Sequence, residues 1–412
     1  MLVVWSVRVI SLSAFLAILV FAQIPPSQKF SAKDNHEFTQ ELDRVRDLLG
    51  SANDRGSVEF QIARTYAAGG QYQEAVDWLQ KVVHSNLGFD PSRDRLFAGL
   101  ESTREFQTLL REVRTQTPPV SNSRLVAVLP QTDLFPENLA YDPPTKTFLL
   151  GSTFKNEIVR CDEQGACKPF VATHQDGLGY VLGLKIHQSS RTLWTTSNLD
   201  GGASLFHYSL ASGELIQRYP LLGAHLFNDL VVSSSGEVFV TDTKEGAVYR
   251  LTRENARLQR LLPNHVFTAA NGIALSRDER TLFVASFGDG VAAVDLASHS
   301  VKPLPHPADV CLAYIDGLYA IKGGLIAIQN GPMLPRIVRF ALSPSGNEIV
   351  AMTVLERRNP LFDGITTGSL VGDQLYYVAN SQLDKVTEGK IKAHVRLDPL
   401  RILALGVELS EP

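Results

Sequence analysis

HLFNDLVVSSSGEVFVTDTKEGAVYRL, residues 225–251, reads as three short apolar strands joined by turns. The runs are rich in Val, Phe and Tyr, and Ser-Gly and Lys-Glu-Gly segments separate them, which is hairpin punctuation. The first strand opens on Asn228-Asp229, an amide and a carboxylate where a buried strand should begin. The same placement recurs along the chain.

The segments ENLAYDPPTKTFLLGS, LGLKIHQSSRTLWTTS, NDLVVSSSGEVFVTDT, NGIALSRDERTLFVAS, DGLYAIKGGLIAIQNG and DGITTGSLVGDQLYYVANS align with one another. Each has an opening residue, an apolar strand, a turn and a second apolar strand. They begin at Glu137, Leu182, Asn228, Asn271, Asp316 and Asp363, at intervals of 45, 46, 43, 45 and 47 residues. A period of this length accommodates four short strands and is that of a β-propeller blade. The repeats predict an all-β six-bladed β-propeller over residues 125–412.

In a propeller the innermost strand of each blade lines the central channel, so equivalent positions form a ring. Here the ring would hold Glu137, Leu182, Asn228, Asn271, Asp316 and Asp363, with no Lys or Arg among them. Carboxylates so gathered repel one another unless a cation sits between them. Mixed carboxylate and amide oxygens select calcium, which takes about six to eight oxygen ligands in flexible geometry. The absence of His and thiolate from the ring disfavours zinc and copper. The competing reading is a solvated channel mouth, with Asn-Gly and Asp-Gly as turn residues. Oxygen donors at five of the six positions favour the metal.

The rest of the chain sets the context. The net charge of -4 and the lack of a basic cluster exclude a nucleic-acid binder. Arg8 precedes the apolar run VISLSAFLAILVFA, with Val20 and Ala22 at the small-residue positions before a cut. Residues 1–22 therefore read as a secretory signal peptide, with a retained anchor as the alternative. The run is shorter than the roughly 20 residues of a membrane span, and no other segment is apolar enough for one. A periplasmic or secreted protein is expected. Cys161 and Cys167 bracket the turn DEQGA and are expected to form a disulfide in that compartment, leaving Cys311 over.

Residues 35–115 have a helical pattern. EFQIARTYAAGGQYQEAVDWLQKVV, residues 59–83, places Ala63, Tyr66, Tyr72, Ala75, Leu79 and Val82 as in one tetratricopeptide unit, with Gly69-Gly70 at the turn. A lone unit must pack on something, because repeat arrays need neighbours for stability. It is expected to be either a structural appendage or a docking arm for a protein partner. Residues 116–124 have the Pro and Ser content of a linker.

PENLAYD, FNDLVVSSSGEVFVTD, ANGIALSRDERTLFVA and IDGLYAIKGG resemble the SMP-30/gluconolactonase family and its paraoxonase and strictosidine-synthase-like relatives, over residues 125–410. That resemblance implies a six-bladed propeller that holds calcium at its channel and opens lactones or related esters. It implies Glu137, Asn271 and Asp316 as metal ligands, with Asn228 near both metal and substrate. Asp229 matches a position that helps hold a second, structural metal in the paraoxonase branch. The sequence departs from the sugar-lactonase pattern at Leu226, where an arginine would grip substrate hydroxyls. The paraoxonase histidine pair has no evident counterpart, and His187 and His225 read first as structural.

The expected activity is calcium-dependent hydrolysis of a lactone or ester, with calcium on the carbonyl oxygen and a carboxylate taking a proton from water. Asp316 is the candidate base. Asn228 and Asp363 are candidate substrate contacts. The alternatives are a non-catalytic propeller that binds a ligand or protein, and a condensing enzyme of the strictosidine-synthase kind. No G-x-S-x-G or phosphate-loop motif supports a different chemistry.

Overall fold

The computed structural model describes residues 35–50, 52, 54–199, 201–254 and 257–407. The expected signal peptide, residues 1–22, lies outside them. Among the described residues the strands form six four-stranded antiparallel sheets and one two-stranded hairpin. The innermost strands of blades one to six are Leu139–Asp142, Tyr180–His187, Phe227–Val232, Ala270–Leu275, Ile315–Ile321 and Gly368–Val371. The expected propeller is therefore observed.

The circle closes through a strand that precedes the repeats. Arg124–Leu129 pairs antiparallel with Leu400–Gly406 and forms the outer edge of blade six. Each pair of neighbouring blades encloses its own apolar layer. Leu149, Ile158, Val181, Leu184, Phe206 and Tyr208 form the one between blades one and two.

The hub has a repeated local device. The innermost strands of blades two, three, four and five each carry a register shift at the ring position: Val181/Leu184, Phe227/Leu230, Ala270/Ile273 and Ile315/Gly317. A bulge of this kind unpairs a residue and re-aims its side chain. It explains how two consecutive residues, Asn228 and Asp229, can both be buried at the hub. Gly183 and Gly272 follow the ring position because a Cβ there would meet the next blade's backbone, 2.7 Å from Asn228 O and 2.5 Å from Asp316 O. Threonine hydroxyls then latch blade to blade. Thr196 Oγ1 donates to Asn228 O and Thr241 Oγ1 to Asn271 O, each at 2.8 Å, and Thr367 Oγ1 donates to Glu137 O at 2.9 Å.

Residues Asn35–Asp47, Arg55–Ala68, Tyr72–His84 and Arg104–Gln116 form helices α1 to α4. On α4 the buried residues Phe106, Leu109, Leu110 and Val113 follow the one-face spacing of an amphipathic helix. By contrast α2 is buried on nearly all sides and forms the centre of the arm. Gly70, with φ of 72°, makes the turn into α3. The apolar core of the arm is continuous with the propeller. Phe38, Phe60, Phe89 and Phe106 share one apolar cluster with Phe287, Cys311, Tyr314 and Met333 of the propeller. The expected linker is pinned too: Val120 exchanges backbone hydrogen bonds with Arg357, and the Glu356 carboxylate accepts from Asn122 N and Ser123 N at 2.8 and 2.9 Å.

Cys161 and Cys167 are cross-strand partners in blade one, joined by a disulfide with Cα atoms 4.0 Å apart. Cys311 is buried.

Candidate active site at the propeller hub

Glu137, Asn138, Asn228, Asp229, Asn271 and Asp316 are all buried at the hub ends of blades one, three, four and five. Asp316 Oδ2 accepts a 2.6 Å hydrogen bond from Asn330 Nδ2, which also donates to Ile365 O. The Asn228 amide donates to Thr243 Oγ1 at 3.1 Å. Asp229 Oδ1 lies 3.3 Å from Lys185 Nζ, and Asn138 Nδ2 approaches the same oxygen at 3.5 Å.

Four oxygens are left over. Glu137 Oε2, Asn138 Oδ1, Asp229 Oδ2 and Asn271 Oδ1 are buried without a hydrogen-bond partner. A buried acceptor left unmade costs about 1–3 kcal/mol, and more if charged. Several at one hub need an explanation such as an ion or water.

The electrostatics agree. Burial pushes the Asp316 carboxyl up to about 6, against the hydrogen bond from Asn330 and with the Asp229 charge adding to the rise. Burial pushes Glu137 well above the usual carboxylate range, and the charges of Asp316 and Asp229 add to it. Asp229 is raised by burial as well, although Lys185 opposes the shift. These acids repel one another across a buried hub, and one ammonium does not neutralise them. The donor set is oxygen throughout, so it fits a hard cation such as calcium better than a thiophilic one.

One wall of the hub is apolar. Leu182, at the ring position of blade two, packs with Tyr180 and Leu226. Leu226 thus belongs to an aliphatic and aromatic cluster.

Asp363 does not join the ring. Its side chain is 43% exposed and pairs with Lys385 Nζ at 2.7 Å. Blade six meets the hub three residues later, where Thr366 and Thr367 bond Glu137 O. The Asp-Gly of blade six is a turn, with Gly364 at φ 84°. Asp363 therefore serves a turn and an ion pair, not the hub where a substrate contact was expected.

His187 bonds Ser190 Oγ at 2.6 Å and Ser189 Oγ at 3.1 Å in the first turn of blade two, a structural role. His225 pairs with Asp242 at 2.6 Å, and Glu245 is 3.7 Å away. The ligand atoms of these three lie within 4.8 Å of one another, close enough to face one metal. However, Glu245 is already taken by Tyr249 OH and Arg260 Nη2, at 2.8 and 2.6 Å. The trio is a satisfied network.

Sequence reasoning missed Asn138, Lys185 and Asn330. The pair Glu137-Asn138 parallels Asn228-Asp229, and that likeness was a usable signal for Asn138. Lys185 lies three residues past the ring in an ordinary strand, and nothing local marks it.

No protein-family model matches the sequence, and no curated protein matches it. Among solved structures, Mala s 1, the major allergen of Malassezia sympodialis, has a TM-score of 0.55 at 14% identity, over 69% of this chain and 96% of its own. A gluconolactonase from Xanthomonas campestris aligns over 70% of this chain and 97% of its own, at 16% identity and TM-score 0.47. Virginiamycin B lyase from Staphylococcus aureus aligns over 69% and 98%, at 13% identity and TM-score 0.48. The likeness to the allergen establishes the fold alone, and the other two superpositions are too loose to add to it. The chemistry rests on the hub residues.

Proposed function

We propose that the protein is a calcium-dependent hydrolase that opens a lactone or related ester at the hub of the propeller. The observation that carries this reading is the group of buried, unpartnered oxygens of Glu137, Asn138, Asp229 and Asn271 beside the Asp316 carboxylate. Glu137, Asn228, Asn271 and Asp316 would hold the ion. Calcium bound there would polarise the substrate carbonyl and favour the oxyanion formed on attack.

The chain's own groups supply the rest. Asn330 fixes the Asp316 carboxylate through Oδ2, so Asp316 is oriented to take a proton from the attacking water. The Asn228 amide is steadied by Thr243 and orients the ester. Tyr180, Leu182 and Leu226 exclude water on one side and favour an apolar substituent over a polyol. The disulfide of blade one and the leader-like residues 1–22 support an exported protein, periplasmic or secreted.

Lys185 favours a second reading. Its ammonium already brings a positive charge against Asp229, as would suit a propeller that binds a ligand and performs no chemistry. Calorimetric titration with calcium chloride separates the two. Binding followed by calcium-dependent turnover in a screen of aliphatic and aromatic lactones supports the hydrolase. A folded protein that takes up no calcium leaves the binding propeller, with the helical arm as a second contact surface.

A further inference from the structure

Given the hub as the functional site, we propose that the helical arm is a working part of it, with Asp54 and Tyr314 as positioning residues for Asp316. The arm grips the propeller on both flanks of one hydrogen bond, that from Asn330 Nδ2 to Asp316 Oδ2.

The first flank is the segment leading into the innermost strand of blade five. Asp54 caps α2 by accepting from Ser57 N through Oδ1 at 3.2 Å. Its other oxygen accepts from Leu312 N and Ala313 N, at 2.6 and 3.1 Å. One buried carboxylate thus caps the start of a helix of the arm and fixes the backbone four and three residues before Asp316.

Tyr314 is next. Its φ is 60°, a left-handed conformation that a bulky aromatic residue rarely adopts and that persists only where the surroundings enforce it. Its amide donates to Phe287 O at 2.6 Å, and its carbonyl accepts from Asn330 N at 3.1 Å. Its ring meets Phe89 and Phe287 edge-on. Its hydroxyl oxygen accepts from Gln61 Nε2 at 3.1 Å and lies 3.3 Å from Ser57 Oγ. Phe89, Gln61 and Ser57 all belong to the arm. Without them the hydroxyl is unheld and one side of the ring is bare, so the backbone two residues before Asp316 can relax.

The second flank is the loop that follows Asn330. Asp90 N donates to Pro332 O at 3.0 Å, Leu334 N donates to Gly88 O at 2.9 Å, and Arg93 Nε donates to Gly331 O at 2.9 Å. A helical arm serving only to cover apolar surface has no need to converge on the two backbone segments that carry one carboxylate and its partner.

The test compares full-length Asp54→Ala with the wild type by hydrogen exchange and by calcium calorimetry. Tyr314→Phe is the milder second variant, since it removes only the hydroxyl contact. Leu79→Ala is the control, because Leu79 is in the arm's core but outside these contacts. The expected result in Asp54→Ala and Tyr314→Phe is faster exchange confined to residues 311–334 and calcium affinity lower by about tenfold. Leu79→Ala should lower the melting midpoint and leave the calcium affinity of the folded protein unmoved. Exchange that is unchanged at 311–334, or raised evenly across all blades, overturns the proposal. So does an equal loss of affinity in Leu79→Ala. A wild type that binds no calcium defeats the hydrolase reading instead, and the exchange pattern still decides the role of the arm.

Discussion

Lys185 of blade two reaches across the hub to Asp229 of blade three, with Nζ 3.3 Å from Oδ1 and 5.5 Å from the centre of the Tyr319 ring of blade five. One cation therefore touches three blades. Its presence also bears on the second metal implied at Asp229, because an ammonium already lies against that carboxylate.

Lys185→Met should expose the importance of this contact. Asp229 is almost wholly buried, while a fifth of the Lys185 side chain reaches solvent. Removing the cation from a buried pair costs about 3–5 kcal/mol, and the partial exposure puts the expected loss near the lower figure. Urea unfolding without calcium should show the loss, and added calcium should restore more stability to the variant than to the wild type. The double variant Lys185→Met/Asp229→Asn should recover much of it. A single variant as stable as the wild type would remove the pair from the account of the hub.

Asp316→Asn keeps the shape of the side chain and removes both a charge and the proposed base. Calcium affinity should weaken, and hydrolysis should fall by about 100-fold or more, the usual loss for a general base. Asn271→Ala should weaken calcium binding without removing a base, so excess calcium should recover part of the activity. Initial rates measured across a calcium series in the two variants separate the roles. If excess calcium rescues Asp316→Asn as fully as Asn271→Ala, Asp316 is only a ligand.

The cysteines allow a simple assay. Because Cys311 is buried and Cys161 is bonded to Cys167, the native protein should offer a thiol reagent almost nothing. Unfolding without reductant should release one thiol per chain, and reduction should release the remaining two. Three thiols on unfolding alone would mean that the bond is absent.

Acid should destabilise blade two. His207 lies stacked on Trp194, with ring centroids 3.8 Å apart. Burial first, then the neighbouring His187, pushes its pKa down from 6.5 to about 4. The unfolded chain thus takes up this proton at a higher pH than the folded one. The stability due to neutral His207 is present above about 6.5 and is lost as pH falls towards about 4. His207→Phe keeps the stack and cannot titrate. Its melting midpoint should fall less steeply than that of the wild type over this interval, and parallel curves would refute the assignment.

The period of the repeats announced the propeller, because each blade must present the same strand to the same axis. The same repeat singled out Glu137, Asn228, Asn271 and Asp316, all of which are buried. Asp363 misled because Asp-Gly is equally good turn chemistry, and blade six reaches the hub only at Thr366 and Thr367. Lys185 stayed hidden because its reach depends on a bulge three residues earlier, and a bulge has no composition of its own. The docking of the arm was illegible for a further reason. Its grip on Leu312, Ala313, Gly331 and Pro332 is made through backbone atoms, which are the same for nearly every residue type.

The strand Arg124–Leu129 is made long before Leu400–Gly406, its only sheet partner among the described residues. Until then the growing chain is an open arc with two raw edges, each a template for a neighbouring chain. Contacts between the far ends of a sequence are the slowest to form, so completion of the circle should limit the rate of folding. Nascent or truncated chains lacking the last strand should be the most prone to aggregate. A molecule built this way has no stable half. Losing the strand Leu400–Gly406 should undo blades that it never touches.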